Sequence, residues 1–407
     1  MIQATNNTPS TFNNLGILPS LVTILERVGL ILPTAIQEKS IPTVLLGKDV
    51  IGIAQTGTGK TLAFGLPMIQ LLAKSNGNGL IVLPTRELAI QVDEILKKVG
   101  GSLGLRTALL VGGAPMGPQL RMISQRPHVF IATPGRLNDH LKQKTINLNG
   151  VTILVLDEAD RMLDMGFEPQ IRNILASVSK DHQTLLFSAT MPPKIKAIAT
   201  TYMRQPVTIQ VGETGATVDR TIQELYMISK EEKIQLLDKL LSDHTGSVLV
   251  FSRTKYGAKK LSHKIREMGH TSADIHSNRS LSQRKAALEG FKSGKHRVLV
   301  ATDIAARGID VEDIKLVLNY DLPDSPEDYI HRIGRTGRAG KVGKAISFAE
   351  HSQRHDVREI ERLTRKSLLQ IALPKLPPKR VSVGGSNEIE RRRFPERNRF
   401  FRNRQRR

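Results

Sequence analysis

The sequence predicts an α/β fold: two doubly wound parallel-sheet units in tandem, followed by a basic C-terminal tail expected to stay disordered. Three observations predict it. First, short β-rich runs recur that are near-continuously apolar rather than alternating, which is how strands buried on both faces of a parallel sheet read. Second, longer stretches with helical periodicity, such as Arg86–Val99 and Tyr256–Met268, fall between those runs. Third, 407 residues exceed one ordinary domain.

The first set of expected strands is Val50–Ile53, Leu80–Leu83, Ala108–Val111, Val129–Ala132, Ile153–Leu156 and Thr184–Phe187. The second is Val248–Phe251, Val298–Ala301, Leu316–Asn319 and Ala345–Phe348. Between the sets, residues 211–219 (VGETGATVD) are small and polar with little periodicity, and read as a linker. The expected units are therefore 1–210 and 220–374. A break at Pro374–Pro378 opens the tail, 375–407, whose Arg- and Asn-rich composition has too few aliphatics to fold alone.

The formal charge of +22 points to a polyanionic partner. The tail carries twelve Lys and Arg against three Glu, so more than half of the excess lies in the body of the chain. With no cysteine, disulfides and thiolate metal sites are excluded, and a reducing cytoplasm is the expected compartment. The N-terminal residues lack the basic and apolar regions of a signal peptide. No apolar run reaches the roughly 18 residues of a membrane span, so no membrane partner is expected.

Chemistry enters after the first strand. Ala54-Gln55-Thr56-Gly57-Thr58-Gly59-Lys60-Thr61 leads from Val50–Ile53 into an apolar helical pattern. Glycines let backbone amides approach phosphates, and a helix N-terminus adds positive potential. Lys60 would reach the β- and γ-phosphates, and Thr61 would help to hold Mg²⁺. Taken alone, the segment also reads as a Gly-rich strand-to-helix turn, and Ala54 stands where the strict motif has Gly. Asp157-Glu158-Ala159-Asp160 follows the apolar run ending at Leu156, which places Asp157 at the carboxyl end of a strand, where open α/β sheets bind ligands. Asp157 suits Mg²⁺, and Glu158 suits orienting an attacking water. An acid-rich helix start is the plainer reading of those four residues alone.

At these residues the chain resembles the DEAD-box RNA helicases, most nearly short bacterial members of the RhlE-like type. The resemblance implies two tandem RecA-like domains, ATP as the nucleotide, Mg²⁺ as its metal and RNA as the partner. It also accounts for Ala54, since the family's loop has Ala there. Gly29, Pro33, Thr34 and Gln37, with Phe12 upstream, look like the adenine-reading Q motif. A Gln amide offers both a donor and an acceptor to a base edge, and an aromatic can stack on the ring. Pro84, Thr85 and Arg86, Gly112 and Gly113, and Thr133, Gly135 and Arg136 match motifs that touch RNA in the family. Ser188 and Thr190 match the motif that couples hydrolysis to unwinding, and His331 is expected to share that role. In the second unit, Thr302 is expected at RNA and Asp310 at the nucleotide, while Arg335 and Arg338 resemble arginine fingers.

One stretch departs from the family. His276–Arg284 has Ser277 where the family has Gly and Leu281 where it has Gln, although Arg284 matches the RNA-contacting Arg. The expected activity is ATP-dependent binding, local unwinding and remodelling of RNA, single-stranded or in short duplex, with little sequence preference. The alternatives are an RNA-annealing chaperone with secondary ATPase, and a DNA helicase.

Overall fold

A computed structural model describes residues 11–55, 57–211, 221–306, 311, 314–337 and 342–377. The Thr56, Asp310 and Arg338 expectations, most of the expected linker and nearly all of the tail lie outside these residues.

The first sheet contains β1 (Val50–Ile53), β2 (Asn78–Val82), β3 (Thr107–Leu110), β4 (Val129–Ala132), β5 (Val151–Leu156), β6 (Gln183–Ser188) and β7 (Val207–Gln210). The second contains β8 (Thr221–Met227), β9 (Val248–Phe251), β10 (Ser272–Ile275), β11 (Val298–Ala301), β12 (Leu316–Asn319), β13 (Gly343–Ala349) and β14 (Leu369–Gln370). Their spatial orders are β3-β4-β2-β5-β6-β1-β7 and β10-β11-β9-β12-β13-β8-β14. Every pairing in both sheets is parallel. Helices cover both faces of each sheet, so each sheet separates two apolar clusters.

Parallel pairing sends the carboxyl end of every strand to one edge, and the strand order then sorts the loops. The loops after β5, β6 and β1 are neighbours, which brings together the segments beginning at Asp157, Ala189 and Ala54. The loops after β3, β4 and β2 form a second group, which contains Gly112–Gly113, Thr133–Arg136 and Pro84–Arg86.

β7, β8, β10 and β14 were not among the expected strands. β8 alternates buried and exposed residues, with Gln223 buried and Ile222 exposed, and so presents no continuous apolar run. β10 carries Asp274, and β14 is a two-residue edge strand. At the opposite edge of the first sheet, buried Asp49 joins three strands. Its carboxylate accepts from Thr184 N at 2.8 Å and from Arg204 N at 2.6 Å, and its carbonyl accepts from Val207 N at 2.8 Å.

Asp49→Ala should therefore orphan two backbone donors, at about 1–3 kcal/mol each where they are buried. The expected outcome in urea melts is a first unit destabilised by about 2 kcal/mol or more. A melting midpoint equal to that of the parent chain would show that the two donors find other partners.

Candidate active site

The phosphate loop runs from the end of β1 to the helix Lys60–Leu72. Gly57 and Gly59 both have positive φ, +83° and +90°, in the region that favours glycine. A β-carbon on Gly59 would collide with the Gln37 amide. That amide is held at both ends, with one donor and one acceptor position left over: Oε1 accepts from Thr34 N at 2.9 Å, and Nε2 donates to Gly59 O at 3.0 Å. The first contact belongs to a capping box that starts the helix Ala35–Leu45. Gln37 thus joins that helix to the loop. Lys60 is buried, with Nζ donating to Ala54 O at 2.9 Å, and Thr58 Oγ1 donates to Gln55 O.

Phe12, the aromatic upstream of Gln37, is largely covered. It begins a short 3-10 helix, Phe12–Leu15, and its ring is sealed in the first-unit core at 2% exposure.

Asp157 and Glu158 leave β5 into the same space. Glu158 adopts the left-handed conformation, φ +51° and ψ +49°, at the N-cap of the helix Ala159–Asp164. That geometry costs a residue with a side chain about 1–3 kcal/mol and persists only where its surroundings enforce it. Here Glu158 N donates to Asp157 Oδ1 at 2.9 Å, and the Glu158 carboxylate pairs with Arg161 one turn along. Burial pushes Asp157 up to about 6 against the pull of Lys60, with Glu158 and Asp160 adding to the rise. Burial also opposes ionisation of Glu158, but Arg161, Lys60 and Arg335 outweigh it and hold that carboxyl at about 2.

Arg335 belongs to the second unit. It follows the helix Pro326–Ile333, is buried, and donates from Nε to His331 O at 3.2 Å. His331 lies at the same junction, its pKa lowered by burial although Asp160 pulls the other way. Between Arg335 and His331 in sequence, Arg332 anchors the segment. It binds Asp303 through two contacts of 2.5 and 2.7 Å, and donates to Asn319 and to Asp321 O.

Asp160 is a residue whose role the sequence did not reveal. Its Oδ2 accepts from Ala189 N, Thr190 N and Thr190 Oγ1, at 3.1, 2.8 and 2.8 Å. Ser188 Oγ accepts from Asp160 N, and Ser188 O accepts from Ala54 N. The three loops of this half are thus tied together by hydrogen bonds. Arg161 was also missed; its only signal was a basic residue three positions after Glu158.

The second group of loops is built around helix starts. Thr85 caps the helix Arg86–Gly100 by accepting from Leu88 N, and Thr133 precedes the helix Pro134–Lys142. Gly112 N donates to Thr133 Oγ1 at 3.4 Å, and Arg136 donates to Ala114 O at 3.0 Å. The Arg86 guanidinium lies over Gly112 and Gly113, where a β-carbon on Gly113 would collide with it. Pro84 is buried, and a β-carbon at Gly135 would meet only open space. Across the junction, Arg284 pairs with Glu87 at 2.9 Å, and Thr302 follows β11. Gln283 Oε1 accepts from Ser280 N in a capping box.

Asp157, a buried carboxylate at the phosphate loop, has the chemistry to hold Mg²⁺, an ion commonly bound by one or two protein oxygens together with substrate phosphates. The burial of Asp157 beside Lys60 agrees with a site that an added cation would balance. Arg161 of the first unit pairs with Glu158 by itself, but the Arg335 guanidinium acts on Glu158 only when the second unit lies against the first. That dependence defines a class: phosphate-loop nucleoside triphosphatases whose site is completed by closure of two units. Sequence comparison agrees, since the DEAD/DEAH box helicase profile matches residues 34–198 and the helicase conserved C-terminal domain matches 232–340. The chain belongs to the DEAD-box ATP-dependent RNA helicases.

Among its relatives, the DEAD-box ATP-dependent RNA helicase CshA of Bacillus cereus is 43% identical over 371 residues, 90% of this chain and 70% of that protein. A DEAD box protein from the hyperthermophile Methanococcus jannaschii is 38% identical, the match covering 89% of this chain and 99% of that one, with a TM-score of 0.53. Mss116p bound to ssRNA and AMP-PNP is 28% identical over 92% of this chain and 82% of that one, with a TM-score of 0.82. Identity and superposition run in opposite directions, so the two-unit arrangement here is close to that of the ligand-bound Mss116p.

Gly113→Ala should force the Arg86 guanidinium away and strain a φ of +72°. The expected result is RNA affinity weakened about tenfold or more, with nucleotide affinity unchanged, measured by fluorescence anisotropy on both ligands. Equal losses for the two ligands would point to general unfolding.

Proposed function

We infer that this ATP-dependent RNA helicase hydrolyses ATP in a site made by both units and uses closure to grip and locally unwind RNA. One observation carries the reading: the buried Glu158 carboxylate is balanced by Lys60 and Arg161 from the first unit and by Arg335 from the second. In this reading Lys60 and the loop amides bind the phosphates, and Glu158 orients the attacking water. Arg335 neutralises charge that develops during transfer. Thr61 and Asp157 would hold Mg²⁺, which supplies further neutralisation of the phosphate oxygens. Gln37 selects adenine through an amide already tied to the phosphate loop, so base identity and loop geometry are read together.

Asp160 carries the state of the nucleotide to Thr190, at the junction that His331 also lines. RNA lies across the loops after β3, β4 and β2 and reaches Arg284 and Thr302. Helix N-termini and Arg side chains grip phosphates and sugars, which favours single strands and short duplexes with little sequence preference. The functional units are 1–210 and 220–374, joined by 211–219, with 375–407 as an RNA-tethering tail. The cysteine-free composition supports a cytoplasmic setting. Among the described residues, no helix is long and apolar enough to cross a membrane.

The direct test is Glu158→Gln. It should bind ATP and RNA like the parent chain, while kcat for RNA-stimulated hydrolysis falls at least a hundredfold, in the range of lost acid–base positioning. It should also fail to turn over short duplexes. Near-normal turnover would refute the assignment of Glu158.

A second test uses pH. Glu158 is held down to about 2 partly by Arg161, so it stays ionised above that value. In Arg161→Ala, burial acts against weaker opposition and the carboxyl titrates higher. The acid limb of kcat should therefore move to higher pH. A limb that moves down or stays in place would mean that Arg161 does not set the charge of Glu158.

A further inference from the structure

The loop after β3 is closed on itself by one amide. Gln119 lies in the helix Met116–Ser124, is buried, and reaches back over the first turn of its own helix. Its Nε2 faces three carbonyls: Val111 O at 3.2 Å, Ala114 O at 3.4 Å and Pro115 O at 3.2 Å. These three bracket Gly112 and Gly113. Two glycines in succession leave a backbone unusually free, and Gly113 sits at φ +72°. The Gln119 amide replaces that freedom with a closed ring.

The amide is itself oriented from the loop after β4. With its nitrogen turned to carbonyls, Gln119 presents Oε1 to His140 Nε2 at 3.3 Å. His140 is fully buried on the helix Pro134–Lys142, whose start holds Thr133–Arg136. Burial and Arg136 lower its pKa against the pull of Asp139, so the ring is neutral at neutral pH. A neutral imidazole has one N–H, and the acceptor on Gln119 draws it to Nε2. Nδ1 then accepts from the Thr145 hydroxyl at 2.8 Å, which also lies 3.1 Å from His140 O. The same helix is anchored on another side: Asn138 Nδ2 donates to Pro134 O and Gln170 O, and Asn173 Nδ2 donates to Asn138 Oδ1. His140 thus projects from a fixed base.

We propose that Gln119 and His140 are positioning residues for RNA: their hydrogen bond holds the Gly112–Gly113 loop in register with the loop that carries Thr133–Arg136. This rests on the helicase reading above. Both side chains are buried, so they act through the backbone and not by touching RNA. Two contacts already cross between the loops, from Gly112 N to Thr133 Oγ1 at 3.4 Å and from Arg136 to Ala114 O at 3.0 Å. The first is long, and the second occupies an Arg assigned to RNA. The buried pair holds the same loops without engaging a group that RNA would need. Apolar side chains would fill the space at lower cost, because every buried polar group must be paired.

The test uses variants of similar shape in the full chain, with poly(U) as the RNA. Gln119→Glu removes both N–H donors and sets carboxylate oxygens against the three carbonyls. It should raise the RNA concentration for half-maximal ATPase stimulation by roughly tenfold, with kcat at saturating RNA within about twofold of the parent. If Gln119→Glu does not fold, Gln119→Met carries the same expectation. His140→Gln keeps a donor near the Nε2 position and should stay close to the parent. His140→Asn reaches only the Nδ1 position and should weaken RNA stimulation as Gln119→Glu does. Equal behaviour of the two His140 variants would overturn the proposal, as would a Gln119 variant that loses kcat at unchanged half-saturation.

Loop order is read separately by amide relaxation NMR on the RNA-free chain. Order parameters at Gly112 and Gly113 should fall from about 0.85 in the parent toward roughly 0.6 in the Gln119 variant. Unchanged values would sink the proposal. If the parent chain shows no RNA stimulation, the helicase reading fails, while the relaxation comparison still decides whether the buried pair orders the loop.

Discussion

A buried carboxylate that stays ionised is the constraint on which the rest of this structure depends. Asp157, Glu158 and Asp160 are all buried at the end of β5, where three acids so close cannot all remain charged without compensation. The compensation is divided. Lys60 and Arg161 come from the first unit, and Arg335 comes from the second. A charge balance that needs both units makes their separation electrostatically unfavourable once the site is loaded, and this is how chemistry in one sheet comes to govern the position of another.

The strand order turns that local balance into a device with two ends. β5, β6 and β1 gather the nucleotide loops, while β3, β4 and β2 gather the loops assigned to RNA. β5 and β2 are neighbours in the same sheet, so the two groups adjoin without mixing. Asp160 binds the loop after β6 through three hydrogen bonds, and that loop lies toward the junction lined by His331. The second unit answers with a rigid support. Arg332, fully buried and bound to Asp303, Asn319 and Asp321, fixes the segment that carries His331 and Arg335.

The sequence exposed the parts of this design that are local and short. The phosphate loop and the three acids and one alanine at Asp157–Asp160 each follow an apolar strand, so type, spacing and context could be read together. Strands without a continuous apolar run escaped: β8 because it alternates, and β10 because Asp274 interrupts it. For Phe12, an aromatic near a motif suggests stacking, while only the packed core shows that its ring is covered. The partnership of Glu87 with Arg284 joins residues far apart in the chain, and nothing in either local pattern announces it.

The pair of Glu87 with Arg284 shows the same division of charge at a second place. Both side chains are largely buried and lie on facing helices, one from each unit, 2.9 Å apart. A buried guanidinium without a partner is costly, so this contact too depends on the units lying together. Charges supplied from both units therefore meet at two points, at Glu158 beside Arg335 and at Glu87 beside Arg284.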